Sequence, residues 1–315
     1  MHIALNLLFL IVGLALLVQS AKVFVDACVD IATKLRIPRL IIGLTIVAMG
    51  TSAPEVVISV SAAIGGSSDL AVANVVGSNL FNLMFIVGFG AIVCPISVKM
   101  KAISRDYWVL FASTVLLLGM VYVFYDSIPR WGSLIFLVIF AVYMVVVARH
   151  AVKNKTGEAA PVDAAAKPRP LWRSVLYAVL GIAVIIAAGQ LTVWSAVNIA
   201  FAIGISERVV GLTIVAMGTS LPEFVTTIIA CRKGEGEFAL GFIIGSCIFN
   251  VLFVLGLAGV ITPLAIGYGV LVDVAVLLGG SLAFFIFAKS SERLVRLEGL
   301  ALVAIFGVYM TWVLL

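Results

Sequence analysis

Long apolar stretches separated by short polar segments run along the whole chain. Each stretch is long enough to cross a hydrocarbon core of about 30 Å as a helix. The pattern predicts an all-α polytopic membrane protein with ten transmembrane helices. The predicted spans are 3–33, 37–64, 70–94, 104–125, 130–149, 172–203, 206–231, 237–261, 268–288 and 295–315.

One longer segment interrupts this pattern. Residues 150–171 begin "HAVKNKTGEAAPVDAAAKPRP" and are rich in Ala, Pro and charged residues. Such a composition is typical of a flexible linker. We therefore expect a first five-helix unit at 1–149, a linker at 150–171 and a second five-helix unit at 172–315.

The composition agrees with a membrane environment. Hydrophobic residues make up 63% of the chain and charged residues 11%, and the mean hydropathy is +1.27. Soluble domains carry about 25% charged residues, so a soluble protein is excluded. The net charge of +5 lies in short loops, which argues against nucleic acid as a partner. The lipid bilayer is the expected surrounding, and no obligatory protein partner is evident.

The basic residues predict the orientation. Of the 20 Lys and Arg residues, all but Lys22, Arg130 and Arg208 lie in or beside one alternate set of loops. Short loops rich in Lys and Arg face the cytoplasm. The linker at 150–171 is therefore expected to be cytoplasmic, and both termini are expected on the opposite side of a cell membrane.

A repeated line marks both halves. "GLTIVAMGTSAPE" at 43–55 and "GLTIVAMGTSLPE" at 211–223 differ at one position. The same shift of 168 residues aligns "GSNLFN" at 77–82 with "GSCIFN" at 245–250. Five crossings are an odd number, so the second copy must lie upside down relative to the first. Inverted repeats of this kind build alternating-access transporters.

The repeated line places a carboxylate in each interrupted helix. Pro54 and Pro222 lack a backbone N–H and break the helical hydrogen bonding. Glu55 and Glu223 follow at mid-membrane depth, where a charge costs about 2.5–3.5 kcal/mol or more. No Lys or Arg lies at a comparable depth in the neighbouring spans. A simple kink with a protonated glutamate is the alternative, but two matching copies favour a site for a transported cation.

The second paired motif supplies further oxygen atoms. Ser78 and Asn82 share one helical face, as do Ser246 and Asn250. Packing of small residues between helices is the simpler explanation for Gly77 and Gly245. An all-oxygen cluster suits Ca²⁺ or Na⁺, and the four cysteines are expected to be small core residues rather than soft ligands.

Together these motifs resemble the sodium/calcium exchangers of the calcium/cation antiporter superfamily, over nearly the whole chain except 150–171. The resemblance implies a central cation site on the second, third, seventh and eighth helices, across which the first and sixth helices slide. It implies that Glu55 and Glu223 bridge calcium. The other residues that it implies as ligands are Thr51, Thr219, Ser52, Ser220, Ser78, Ser246 and Asn82, with the carbonyls of Ala48 and Ala216.

Asn250 departs from the best-known pattern of that family, which has aspartate there. The site then carries two formal negative charges, and the counter-ion stays open. Exchange of Ca²⁺ for Na⁺ is the expected function, and Ca²⁺/H⁺ or potassium-dependent exchange is the alternative.

An enzyme is not expected, because no catalytic constellation accompanies the glutamates, and no cofactor is predicted. A passive channel is the remaining class.

Other charged residues are expected to be peripheral. Lys22, Asp26, Asp30 and Lys34 are spaced i, i+4 along the first helix and predict ion pairs within it. Asp69, Asp106, Asp126 and Asp273 are expected to be solvated at the membrane edges.

Overall fold

The computed structural model describes residues 3–97, 100–153, 170–204, 216–267, 269–290 and 292–314. The helices are α1 Ile3–Leu35, α2 Arg39–Thr51, α3 Ala53–Ile64, α4 Ser68–Val93, α5 Met100–Val123, α6 Arg130–Lys153, α7 Leu171–Ala202, α8 Ala216–Gly218, α9 Leu221–Arg232, α10 Gly236–Ile261, α11 Val270–Ser290 and α12 Arg296–Leu314. Four two-residue strands, which the sequence did not predict, are β1 Ile96–Ser97, β2 Ser127–Ile128, β3 Leu264–Ala265 and β4 Arg293–Leu294.

Eight of these helices are long and apolar enough to cross a membrane, and the bent pair α2 and α3 makes a ninth if it forms one span. The predicted span 206–231 is described only from Ala216 onward, where α8 and α9 lie. Residues 211–215 of the repeated line and most of the linker 150–171 lie outside the described residues. Helix α6 continues to Lys153, past its predicted end at residue 149.

Helices α4 and α10 form the centre of the molecule. Of their most apolar stretches, 78% and 94% respectively are buried, against 22% for α1 and 33% for α7. Large apolar side chains such as Leu8 and Ile11 on α1 are exposed. In a membrane this outer surface contacts lipid, so α1 and α7 are peripheral and α4 and α10 are enclosed by protein.

The two long helices α1 and α7 pack along each other through glycines. A Cβ added to Gly13 would lie 2.6 Å from Thr192 Oγ1, and one added to Gly181 would lie 3.0 Å from Phe24 Cβ. Gly13 and Gly181 occupy matching positions in the two halves. Glycines at such crossings let helices approach closely without large side chains between them.

A second close crossing brings α2 against α10. A Cβ on Gly241 would lie 2.6 Å from the Leu40 carbonyl oxygen, and one on Gly245 would lie 2.5 Å from the Leu44 carbonyl oxygen. The two glycines are four residues apart and therefore share one face of α10. This crossing places the C-terminal part of α2, which ends at Thr51, beside the polar face of α10.

Two short strand pairs connect the halves of the chain. Strand β1 pairs antiparallel with β4, with Ile96 opposite Leu294. Strand β2 pairs antiparallel with β3, with Ile128 opposite Leu264. Strands β1 and β3 lie 168 residues apart, so the same segment of each half pairs with a segment of the other half.

The structure corrects two predictions about charged residues. Lys34 does pair with Asp30 at 2.5 Å, as expected, but Asp26 pairs with Lys233 of the second half. Asp106 is not solvated: it is fully buried. Arg105 binds its carboxylate at 2.9 Å and the Tyr143 hydroxyl donates to it at 3.1 Å. A buried carboxylate needs such partners, and sequence spacing did not indicate the contact with Tyr143.

Candidate ion-binding site

Both copies of the repeated line break their helix at the serine. Ser52 separates α2 from α3 with φ −80° and ψ 13°, and the two helix axes differ by 46°. Ser220 precedes α9 with nearly the same angles, φ −90° and ψ 12°. Pro54 and Pro222 lie in the first turn of the helices that follow. A missing N–H leaves no hydrogen bond broken there, so each break is locally stable.

The two breaks exchange hydrogen bonds across the molecule. The Ser52 hydroxyl donates to Glu223 Oε1 at 3.1 Å, and the Ser220 hydroxyl donates to Glu55 Oε1 at 3.2 Å. Both glutamates are at most 1% exposed. The two carboxylates are also close enough for Glu223 to act on Glu55 electrostatically. Each half of the chain therefore holds the carboxylate of the other.

Several buried polar atoms have no hydrogen-bond partner among the described residues. Those from the predicted ligands are Glu55 Oε2, Glu223 Oε2, Ser78 Oγ, Ser246 Oγ, Asn250 Oδ1 and both amide atoms of Asn82. Leaving such groups buried and unpaired is costly. Carboxylate, hydroxyl and amide oxygens are the ligands that Ca²⁺ takes in proteins. This set of atoms fits a hard cation.

The predicted threonines also lie beside the carboxylates. The Thr51 hydroxyl contacts Glu223, and Thr219 contacts Glu55. Thr51 further donates to the Val47 carbonyl at 3.1 Å. The Ala48 carbonyl accepts the backbone N–H of Ser52 at 3.1 Å. The ligand roles of the Ala48 and Ala216 carbonyls stay predictions.

Two residues that sequence reasoning did not assign to the site lie directly beside it. Asn79 accepts a hydrogen bond from the Asn250 amide at 3.1 Å. Cys247 lies beside Asn82 and within electrostatic range of Glu223. Cys247 is buried, as expected of a small core residue, and its thiol lies next to a predicted ligand. The signal was available, because Asn79 and Cys247 occupy the same position of the two aligned motifs.

Further buried polar residues follow each glutamate by one helical turn. Ser59 accepts a hydrogen bond from Asn74 at 3.0 Å. Thr227, at the matching position of α9, is buried, and its hydroxyl has no hydrogen-bond partner among the described residues. These residues extend the polar character of the site along α3 and α9 in their chain directions.

The sequence signature of the family described as "Sodium/calcium exchanger protein" matches residues 5–149 and 173–315. The chain belongs to this family. It is 40% identical over 260 residues to the inner membrane protein YrbG of Escherichia coli, covering 81% of this chain and 79% of YrbG. It is 29% identical to the sodium/calcium exchanger MaX1 of Methanosarcina acetivorans, covering 98% of both chains.

A solved structure of the sodium-calcium exchanger NCX_Mj, soaked with Na⁺ and Sr²⁺, has the same fold. Its TM-score with this chain is 0.85 at 28% identity, over 98% of this chain and 99% of NCX_Mj. Family and fold together identify this exchanger as a multi-pass membrane protein and an antiporter of Ca²⁺ and another cation. The family consists of transporters, which agrees with the expectation that the chain is not an enzyme.

Proposed function

We propose that this exchanger moves Ca²⁺ in one direction and Na⁺ in the other through a single, alternately exposed site between Glu55 and Glu223. The observation that carries the proposal is the reciprocal pair of Ser–Glu hydrogen bonds. Each bond fixes one carboxylate oxygen, and the other oxygen has no hydrogen-bond partner among the described residues. Because Ca²⁺ and Na⁺ then compete for the same free oxygens, binding of one displaces the other, which is the physical basis of antiport.

The charge of the site supports Ca²⁺ as one substrate. Two glutamates offset one divalent cation. Within the described residues, neither glutamate forms an ion pair with Lys or Arg; the ion pairs lie elsewhere, as at Arg39–Glu235. The proposed ligands are Glu55, Glu223, Thr51, Thr219, Ser52, Ser220, Ser78, Ser246, Asn82, Asn250 and the carbonyls of Ala48 and Ala216.

We further propose that ten helices form two inverted five-helix repeats, 1–149 and 172–315, joined by a cytoplasmic linker at 150–171. The reciprocal bonds at matching positions support this arrangement. So do the strand pairs β1–β4 and β2–β3, in which matching segments of each half pair with the other half. The alternation of basic and non-basic loops supports it independently.

Exchange of Ca²⁺ for H⁺ is the second candidate. Two carboxylates that act on each other in a buried site repel when both are charged, so protons can replace Na⁺ when Ca²⁺ leaves. Potassium-dependent exchange is a further form of the same mechanism. With Asn250 in place of an aspartate, the site offers two formal negative charges, and these do not by themselves select among the three counter-ions.

The decisive experiment measures uptake of radioactive Ca²⁺ by proteoliposomes of the purified protein under outward gradients of Na⁺, K⁺ or H⁺, each imposed alone. We expect uptake with the Na⁺ gradient. Uptake with only the H⁺ or K⁺ gradient would show that H⁺ or K⁺, rather than Na⁺, is the counter-ion. Uptake driven by membrane voltage alone, without any counter-ion gradient, would instead indicate a channel. Liposomes that contain Glu223→Gln protein are the matched control for leak.

A further inference from the structure

Two consecutive hydrogen bonds connect the buried side chain of Asn250 on α10 to Asn79 on α4, and Asn79 in turn to a backbone carbonyl of α10. Asn79 Nδ2 donates to the Cys247 carbonyl oxygen at 3.0 Å, and Asn250 Nδ2 donates to Asn79 Oδ1 at 3.1 Å. Asn79 and Asn250 are fully buried. Asn79 comes from the first half of the chain, and the two residues that it contacts come from the second.

The donor and acceptor roles in these two hydrogen bonds are determined by the Cys247 carbonyl. A backbone carbonyl can only accept a hydrogen bond, so Asn79 must turn its NH₂ group toward Cys247. Its own oxygen then faces Asn250, and an amide oxygen can only accept. Asn250 is therefore required to donate its NH₂ group to Asn79. Its Oδ1 points the other way and has no hydrogen-bond partner among the described residues.

From this geometry we infer that Asn79 is a positioning residue that holds the Asn250 amide with its oxygen toward the cation. The inference rests on the proposed function. If the Asn250 amide turned over, it would present an NH₂ donor, whose partial positive charge repels a cation. Asn79 prevents that rotation, because two acceptors, Asn250 Oδ1 and Asn79 Oδ1, would then face each other. The orientation of this ligand is thus fixed before the ion arrives.

Asn82, which matches Asn250 in the first half, has no amide side chain at the position that corresponds to Asn79. Cys247 occupies the position that matches Asn79 and lies beside Asn82, but a thiol is only a weak acceptor and donor. Both amide atoms of Asn82 have no hydrogen-bond partner among the described residues. The two symmetry-related amides therefore have unequal partners: Asn250 donates to the amide oxygen of Asn79 at 3.1 Å, whereas Asn82 has the Cys247 thiol beside it.

The experiment is a double-mutant cycle that measures the apparent affinity for Ca²⁺, both by binding to purified protein and as KM for exchange. We expect Asn79→Ala to weaken Ca²⁺ affinity about five- to tenfold, the range for losing one buried hydrogen bond. We expect the same substitution in an Asn250→Asp background to cost less than about twofold. A carboxylate presents an oxygen whichever way it turns, so its orientation no longer depends on Asn79.

Asn79→Leu keeps the branched shape and the number of heavy atoms of the side chain while removing its hydrogen bonds, and it replaces Asn79→Ala if the smaller residue prevents folding. Asn198→Ala is the matched control, since within the described residues Asn198 donates to the Trp194 carbonyl on its own helix α7, and we expect it to leave affinity unchanged. Equal losses in both backgrounds would indicate packing alone and overturn the inference, as would no loss in either. A parent protein that binds no Ca²⁺ would overturn the proposed function and this inference together.

Discussion

Each glutamate of the candidate site has one oxygen bonded to a serine of the other half and one oxygen with no hydrogen-bond partner in the part of the chain that the structure describes. The serine fixes the direction of the carboxylate, and the negative charge that both oxygens share is what a cation needs. Replacing glutamate by glutamine keeps the size and the accepting oxygen but removes the charge. The two roles of the side chain can therefore be separated by one substitution.

Glu55→Gln and Glu223→Gln are each expected to reduce Ca²⁺ transport by at least about a hundredfold while the protein stays folded. Each removes one of two charges that offset the divalent ion inside a buried site, where loss of one partner costs several kcal/mol. The measurement is Ca²⁺ flux in proteoliposomes, with size-exclusion chromatography as the test of folding.

Glu298→Gln is the matched control for these variants. Glu298 accepts hydrogen bonds from Ser290 and the Val295 N–H at the start of α12, away from the site, and an amide oxygen can still accept. Near-normal flux in this control is expected. Near-normal flux in either site variant would contradict the shared site.

The element that positions the first half of the site is α2, which is seated on α10 by two glycines. The backbone of α2 occupies the space that a side chain at Gly245 or Gly241 would need. Backbone moves less easily than the end of a side chain, so a methyl group there must push the two helices apart. Because Thr51 and Ser52 lie at the end of α2, such a shift moves ligands as well as lowering stability.

Gly245→Ala is expected to destabilise the protein by about 1–3 kcal/mol and to lower transport. The new Cβ would lie 2.5 Å from the Leu44 carbonyl oxygen and 2.7 Å from the Leu44 Cα. Thermal unfolding in detergent, followed by flux measurement, checks both effects. Gly279→Ala is the control, because Gly279 on α11 is exposed and meets no described atom within 4 Å. Equal stability of the two variants would show that the α2–α10 crossing tolerates a larger separation.

At the scale of the whole molecule, contacts between the two halves recur at matching positions. They include the two serine–glutamate bonds and the strand pairs β1–β4 and β2–β3, each of which joins one half to the other. Reciprocal contacts of this kind fit an inverted pair of repeats, in which equivalent loops lie on opposite faces of the membrane. The basic loops indicate which face is cytoplasmic.

Labelling of single cysteines tests this orientation. Lys153→Cys and Lys233→Cys are expected to react only with a reagent on the cytoplasmic face, and Ser67→Cys only with one on the opposite face. Each is introduced into a protein without its partly exposed native Cys94. Intact cells and inverted vesicles supply the two faces. Labelling of Lys153→Cys and Lys233→Cys from different faces would contradict the inverted arrangement.

Most of the described helices were predictable from the sequence. Apolar length is a local property, so spans such as 130–149 and 237–261 match α6 and α10 to within a few residues. The break at Ser52 was predictable from Pro54, because proline cannot continue the hydrogen bonding of the preceding helix and is tolerated in the first turn of the next one. The two-residue strands were not, since each pairs with a segment more than 130 residues away and has no periodicity of its own.

The sequence by itself determined the membrane environment and the repeat, and it predicted the residue types of the candidate site, because hydropathy, identity of letters and residue type are all local. It also placed Ser78 with Asn82, and Ser246 with Asn250, on shared helical faces through the helical period. Only the tertiary structure decided which groups meet: that Ser52 bonds to Glu223 rather than to Glu55, that Asn79 fixes Asn250, and that a thiol lies beside Asn82. Such contacts join residues about 165–171 positions apart, and their geometry depends on how helices pack, which no spacing along one helix can specify.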